Sequence, residues 1–264
     1  DPTMLRLGGQ RREMTVYFSD LAGFTSISEA CTPEELVLLL NEYLDGMTEV
    51  IFRHGGTLDK YAGDGVMAFW GAPVTQEEHA YRCCCAALDT QKHLQSILLP
   101  KWQAEGRPQP RMRIGINTGP MIVGNMGSKT RMDYTVMGDA VNLGARLEPA
   151  NKAYGTETMM SEFTWECVKD RIASRELDAL RVVGKQKPVR VYEVVALMQD
   201  VTSAQKELIE TYTRGLRHYQ RREWPAGIDA FRAALDCSPD DGPSKTLLRR
   251  CKAYLTTPPP SDWD

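Results

Sequence analysis

The chain has 264 residues, 42% of them hydrophobic and 25% charged, with a formal net charge of −3. That length fits one large domain, or a medium domain with a small appendage. The mild acidity argues against a general affinity for nucleic acid, and no apolar run approaches the roughly 20 residues that span a bilayer.

The opening "DPTMLRLGGQRREMTV" lacks the apolar core of a signal peptide. It starts with Asp instead of Met, so the expectation is a fragment or processed product of a parent chain. A cytoplasmic domain is expected, with room for a membrane anchor or an upstream sensor domain in that parent. Seven cysteines carry no CxxC or Cys/His ligand spacing. They read as buried, reduced thiols.

In chain order, "MTVYFSDLAGFTSIS" opens with a short strand, Thr15 to Phe18, and a glycine-containing turn. "TPEELVLLLNEYLDGMTEVIFRHGG" predicts a helix capped by Thr32, with Pro33 in its first turn and Gly55 at its end. "LDKYAGDGVMAFWG" predicts a β-hairpin with Asp64 between Gly63 and Gly65 at its tip. A second helix is expected from about Glu77 to Leu99, stopped by Pro100.

"RMRIGINTGPMIVGNMG" predicts two short strands broken at "TGP". A strand over Asp133 to Met137 leads into a helix from Asp139, then a short strand and helix in "ETMMSEFTWECVKD". "RELDALRVVGKQKPVRVYEVVAL" predicts a closing strand pair around a basic loop. The class is α+β with a mostly antiparallel sheet flanked by helices.

A core domain is expected over residues 1–198. Residues 199–264 predict a small all-α segment of three helices and a loose "TTPPPSDWD" tail. Gly215, Phe231, Ala234 and Pro239 match tetratricopeptide spacings, although Gly227 stands where that repeat usually has Ala. One repeat cannot bury its own face. It must pack on the core domain, a second copy, or repeats elsewhere.

Aspartate and glycine suit tight turns for backbone reasons alone, so Asp64 points to chemistry only if a second carboxylate joins it. Asp20, in "YFSDLAGFTS", likewise follows an apolar strand. On neighbouring strands the two could converge on Mg²⁺ or Mn²⁺, which prefer hard oxygen ligands. The Gly23 turn can aim the N–H groups of Phe24 and Thr25 at phosphate oxygens. Asn142 and Arg146, four residues apart, share one helix face. That pairing suits a sugar and a phosphate in flight, but taken alone it reads first as an ordinary polar face with a solvated Arg. Lys185 lies in the basic "GKQK" loop.

"FSDLAGFTSIS", "LDKYAGDGVMAFWG", "GINTGPMIVGN" and "YTVMGDAVNLGARLE" together resemble the catalytic domain of the class III nucleotidyl cyclases, from about Glu13 to Leu197. The resemblance implies the ferredoxin-like cyclase fold and conversion of ATP to 3′,5′-cyclic AMP and pyrophosphate with two divalent ions. It implies a homodimer with sites at the interface. Asp20, Asp64 and the main-chain carbonyl of Leu21 would hold the metals. From the other protomer, Asn142 would orient the ribose and Arg146 would stabilise the α-phosphate. Lys185 would hold the β,γ-phosphates.

The resemblance also gives Lys60 and Thr135 the purine. A lysine donor suits adenine N1, and the threonine hydroxyl can accept from the exocyclic amine. Guanine presents the opposite pattern. Guanylyl cyclases of the family carry an acidic residue at the lysine position. The Lys–Thr pair resembles the subgroup in which bicarbonate stimulation is described. The alternatives are a guanylyl cyclase, a diguanylate cyclase, which lacks support without a "GGDEF"-like turn, or a catalytically weak cyclase-like adaptor acting through its helical tail.

Overall fold

The apolar run "MTVYF" lies in a strand buried on both faces. In the computed structural model, which describes residues 8–128, 130–180 and 188–260, that strand is β1 (Gly8–Leu21). Met14 and Val16 face one layer and Tyr17 and Leu21 the other, all at most 1% exposed. Burial on both faces explains why the run does not alternate with polar residues. β1 is much longer than the expected core. Its polar first half is held by backbone pairing with β4 (Met112–Gly127), from Gly8 opposite Asn125 to Leu21 opposite Met112.

β4 is continuous, so the expected break at "TGP" does not occur. Along its far edge β4 pairs with β6 (Thr158–Ser161) over Ile114–Ile116 and with β5 (Met132–Met137) from Ile122. Pro120 falls between those two partners, where a missing N–H costs little. The sheet order is β2-β3-β1-β4-β6-β8-β7, with β5 paired to β4. Here β2 is Thr57–Ala62, β3 Gly65–Trp70, β7 Ile172–Leu180 and β8 Val189–Leu197. Only β4 and β6 run parallel among the described strands.

One face is covered by α2 (Pro33–Arg53) and α3 (His79–His93), packed on Tyr17, Leu21, Ile114 and Ile116. Thr32 and Glu35 form a reciprocal capping box at the start of α2, with Pro33 in the first turn. Helix α1 (Phe24–Ala30) precedes it, and α6 (Glu162–Val168) follows β6. Cys83 and Cys84 are buried, whereas Cys167 and Cys237 are exposed, so burial holds for only some of the thiols.

Pro100 does not end its helix. After α3, residues Leu94–Leu98 widen into a π-turn and α4 (Leu99–Ala104) continues. The wider turn accommodates a ring that would crowd the carbonyl four residues back. The continuation buries Trp102, whose indole N–H donates to Glu42 at 2.8 Å.

α5 (Asp139–Tyr154) covers the other face. It lies close to the sheet because two glycines allow it. A Cβ on Gly115 would fall 2.3 Å from the Glu148 backbone nitrogen, and one on Gly144 2.7 Å from Val16.

The C-terminal helices are α7 (Ser203–Gln220), α8 (Trp224–Cys237) and α9 (Gly242–Thr256). They share a core of Tyr212, Leu216, Phe231 and Leu247, with Gly215 leaving room for the Phe231 ring. Of the three possible packing partners, the first is observed. The helices dock on edge strand β7 and the end of α5. Arg175 of β7 forks onto Asp241 at 2.5 and 3.1 Å and also meets Glu193 at 2.5 Å. Arg250 meets Asp178 at 2.6 Å, and Tyr154 donates to the same carboxylate.

Asp241 also caps α9 by accepting from Ser244 N–H at 2.9 Å. Asp241→Ala should therefore cost about 2–4 kcal/mol, from a lost cap and a half-paired buried guanidinium. Lys245→Ala, removing an exposed pair with Asp240, should leave stability unchanged. Denaturant midpoints compare the two, and equal midpoints would contradict this account of the docking.

Candidate active site

The β2–β3 hairpin turns through Gly63, which sits at φ 64°, and delivers Asp64 to the C-terminal end of β1. There the Asp64 carboxylate accepts from the Leu21 backbone N–H at 2.9 Å. Asp20 is one residue earlier on β1 and sits opposite Arg113 of β4. The Arg113 guanidinium lies 3.5 Å from Asp20 and 2.8 Å from Glu148 of α5. Burial, and then the neighbouring Asp20 carboxyl, push the Asp64 pKa well above the usual carboxylate range.

Two acids held this way fit a divalent cation, whose charge would relieve both effects. The donor set is oxygen only, which suits Mg²⁺ or Mn²⁺. Among the described residues no group of three or more Asp, Glu, His or Cys forms a cage. The side chains of such a site would thus be the two carboxylates, with other positions left for further oxygens and water.

Gly23 adopts the left-handed conformation, φ 77°, and starts α1. The N–H groups of Phe24 and Thr25 therefore fall in the first helical turn, where the helix supplies no acceptor. Phe24 packs on the core beneath, and Thr25 is exposed.

Lys60 and Thr135 come from different hairpins and meet across one residue. β2 carries a bulge between Leu58 and Lys60, so Asp59 has no partner on β3. The Thr135 hydroxyl donates to Asp59 Oδ2 at 2.5 Å, and the Lys60 ammonium lies 3.3 Å from Asp59 Oδ1. The Asp59 side chain is fully buried.

Asn142 and Arg146 are exposed on α5, while Val141, Gly144 and Leu147 of the same helix are buried. Gly144 faces β1, so the Asn–Arg pair is presented outward from the protomer. Lys185 lies outside the described residues. Two of the larger cavities, about 520 and 550 Å³, lie under the C-terminal helices and beside the start of α5. Neither is lined by Asp20 or Asp64. Both carboxylates are half-buried where the hairpin tip meets the end of β1.

Sequence reasoning missed Arg113, Glu148 and Asp59. Arg113 and Glu148 become visible only once β1 is placed beside β4 and α5 above both. Asp59 did carry a signal, as an acid beside Lys60 in a strand.

The chain matches the family described as the adenylate and guanylate cyclase catalytic domain over residues 9–196. It is 40% identical over 195 residues to adenylate cyclase 1 of Rhizobium meliloti, a match covering 74% of this chain and 29% of that protein. The chain spans well under half the length of the curated relatives it matches. Among solved structures, the adenylyl cyclase CyaB from P. aeruginosa is 40% identical with a TM-score of 0.68, over 74% of this chain and all of that one. The guanylyl cyclase Cya2 is 37% identical with a TM-score of 0.67, over 74% of this chain and 98% of that one. With its paired carboxylates at the strand ends and this match over most of its length, the chain belongs to the adenylate and guanylate cyclase catalytic-domain family.

Proposed function

We propose that this chain is an adenylyl cyclase, converting ATP to 3′,5′-cyclic AMP and pyrophosphate as a homodimer with sites across the interface. The observation that carries the reading is a division of labour. Asp20 and Asp64 converge at one surface, while Asn142 and Arg146 stand exposed on α5. Two half-sites on one chain are what a symmetric pair can join.

In this reading Asp20, Asp64 and the Leu21 carbonyl hold two Mg²⁺ or Mn²⁺ ions. Such ions supply an acidified 3′-hydroxyl and a clamp on the leaving pyrophosphate. The N–H groups after Gly23 bind phosphate oxygens. Asn142 from the partner protomer orients the ribose for in-line attack. Arg146 neutralises charge building on the α-phosphate, and Lys185 would take the β,γ-phosphates. The Leu21 N–H bond keeps one Asp64 oxygen fixed, which holds the carboxylate in one orientation before substrate arrives. No protein nucleophile is required.

The choice of ATP over GTP rests on Lys60 and Thr135, since the family embraces both activities and solved relatives include both kinds. The ammonium donates to adenine N1, and guanine offers N1–H there instead. The C-terminal helices, residues 199–264, are proposed as a tetratricopeptide-like unit apart from a catalytic domain over residues 1–198. An upstream sensor domain in a parent chain would provide control.

Asp64→Ala and Arg146→Ala should each abolish cyclic AMP production, by more than about a hundredfold. Mixed and allowed to exchange subunits, the two inactive variants should recover about a quarter of wild-type activity, because half the dimers are mixed and each holds one intact site. No recovery, despite exchange seen by mass, would remove the shared-site reading. With ATP and GTP supplied together, cyclic AMP should dominate the products. Replacing Lys60 by Glu should depress ATP turnover far more than GTP turnover, read as separate kcat/KM values.

A further inference from the structure

The purine-reading pair has a buried third member whose role follows from hydroxyl geometry. Asp59 stands at the β2 bulge, where one strand residue lacks a cross-strand partner. A bulge re-aims the side chains around it. Here the Lys60 ammonium reaches back to the carboxylate of its own neighbour Asp59, although successive strand residues normally point to opposite faces. The Asp59 side chain is fully buried. Its Oδ2 takes the Thr135 hydroxyl hydrogen at 2.5 Å, and its Oδ1 has no hydrogen bond and only the Lys60 ammonium, 3.3 Å away.

A threonine hydroxyl has one hydrogen and two lone pairs. In this structure the hydrogen is committed to Asp59. Whatever approaches Thr135 from the open side meets lone pairs alone. We infer that Asp59 is a positioning residue for nucleotide selection: it makes Thr135 an obligate acceptor and holds the Lys60 ammonium beside it, so the site takes 6-aminopurine and rejects 6-oxopurine nucleotides. The inference rests on the proposed reading that Lys60 and Thr135 contact the base, and it adds the group that gives that pair its polarity.

The chemistry is one-sided. A free threonine hydroxyl can turn and donate to a 6-oxo group as readily as it accepts from a 6-amino group. Threonine alone therefore discriminates weakly. Fixing its hydrogen leaves a 6-oxo oxygen facing a lone pair, and a site with an unpaired buried polar group rejects its ligand strongly. The ammonium serves the same end at N1, where only adenine accepts. Because its charge lies next to Asp59 Oδ1, the carboxylate also limits where the long lysine chain can place that charge.

The test uses the full 264-residue chain, with kcat/KM for ATP, ITP and GTP. ITP differs from ATP at the N1 and C6 edge and lacks the 2-amino group of GTP, so the ATP to ITP ratio isolates that edge. In Asp59→Asn the amide oxygen should turn to the Lys60 ammonium and the amide N–H₂ to Thr135, which frees the hydroxyl to donate outward. The ATP to ITP ratio should fall about tenfold. Thr135→Val should lower it comparably, Thr135→Ser should keep it, and the double variant Asp59→Asn with Thr135→Val should fall no further than Thr135→Val alone.

A thermal melt accompanies each variant. If Asp59→Asn does not fold, Asp59→Ala is scored by the same ratio. Loss of ATP and ITP turnover in equal measure, with the ratio intact, would make Asp59 a plain structural support and overturn the inference. Effects that multiply in the double variant would overturn it too, because Asp59 would then act independently of Thr135. A ratio unmoved by Thr135→Val would instead sink the underlying reading of the purine pair, an outcome distinguishable from the others.

Discussion

The site depends on one short bond, from the Leu21 backbone N–H to the Asp64 carboxylate at 2.9 Å. It fastens the tip of the β2–β3 hairpin to the end of the central strand. The β1–β3 ladder, which ends with Ser19 opposite Val66, brings the two acids together, and this bond sets where the Asp64 carboxylate points. So held, both acids are half-buried, and burial beside the Asp20 carboxyl makes Asp64 resist ionisation. That cost is tolerable only because the strands beneath are fixed on both faces: Tyr17 and Leu21 against α2 and α3, Met14 and Val16 against the α5 layer. A strained polar arrangement persists where the surrounding packing over-determines it.

The same packing sets what α5 can present. Gly115 and Gly144 let the helix lie against the strands at backbone contact. Its inward face is consumed by that approach, and Asn142 and Arg146 are left outward. Glu148 is the exception that joins the two halves. Through Arg113 it connects α5 to Asp20, at 2.8 and 3.5 Å. The guanidinium thus holds Asp20 while satisfying a helix carboxylate, and a shift of α5 along the sheet would be felt at Asp20.

Local signals carried most of the element boundaries. Thr32 and Glu35 announce α2 through a capping box, and the "AGDG" tip announces the hairpin, because both depend on neighbours a few residues away. The misreadings arose where distant partners overrode local rules. Pro120 was expected to break β4, yet a proline between two pairing partners forfeits no ladder bond. Pro100 was expected to stop a helix, yet a π-turn and the burial of Trp102 carry it onward. The carboxylate pair was legible as motif, whereas the pairings of Arg113 and Asp59 were not, even though Asp59 stands beside Lys60. Their partners lie 93 and 76 residues away in the chain, at Asp20 and Thr135, and no periodicity encodes such a pairing.

The C-terminal helices apply the same logic to the edge of the sheet. A terminal strand exposes unpaired backbone and side chains, and β7 is such a strand. Covering it with α7–α9 buries Arg175 between Asp241 and Glu193, and Arg175 also lies over the Tyr212 ring at 4.7 Å. A buried ion pair does little for net stability but is costly to break on one side. The ion pairs therefore fix the register in which the helices dock. That register runs through Asp178 to Tyr154, in the last turn of the helix that bears Asn142 and Arg146. The edge cover and the outward face of α5 are in this way parts of one packed unit.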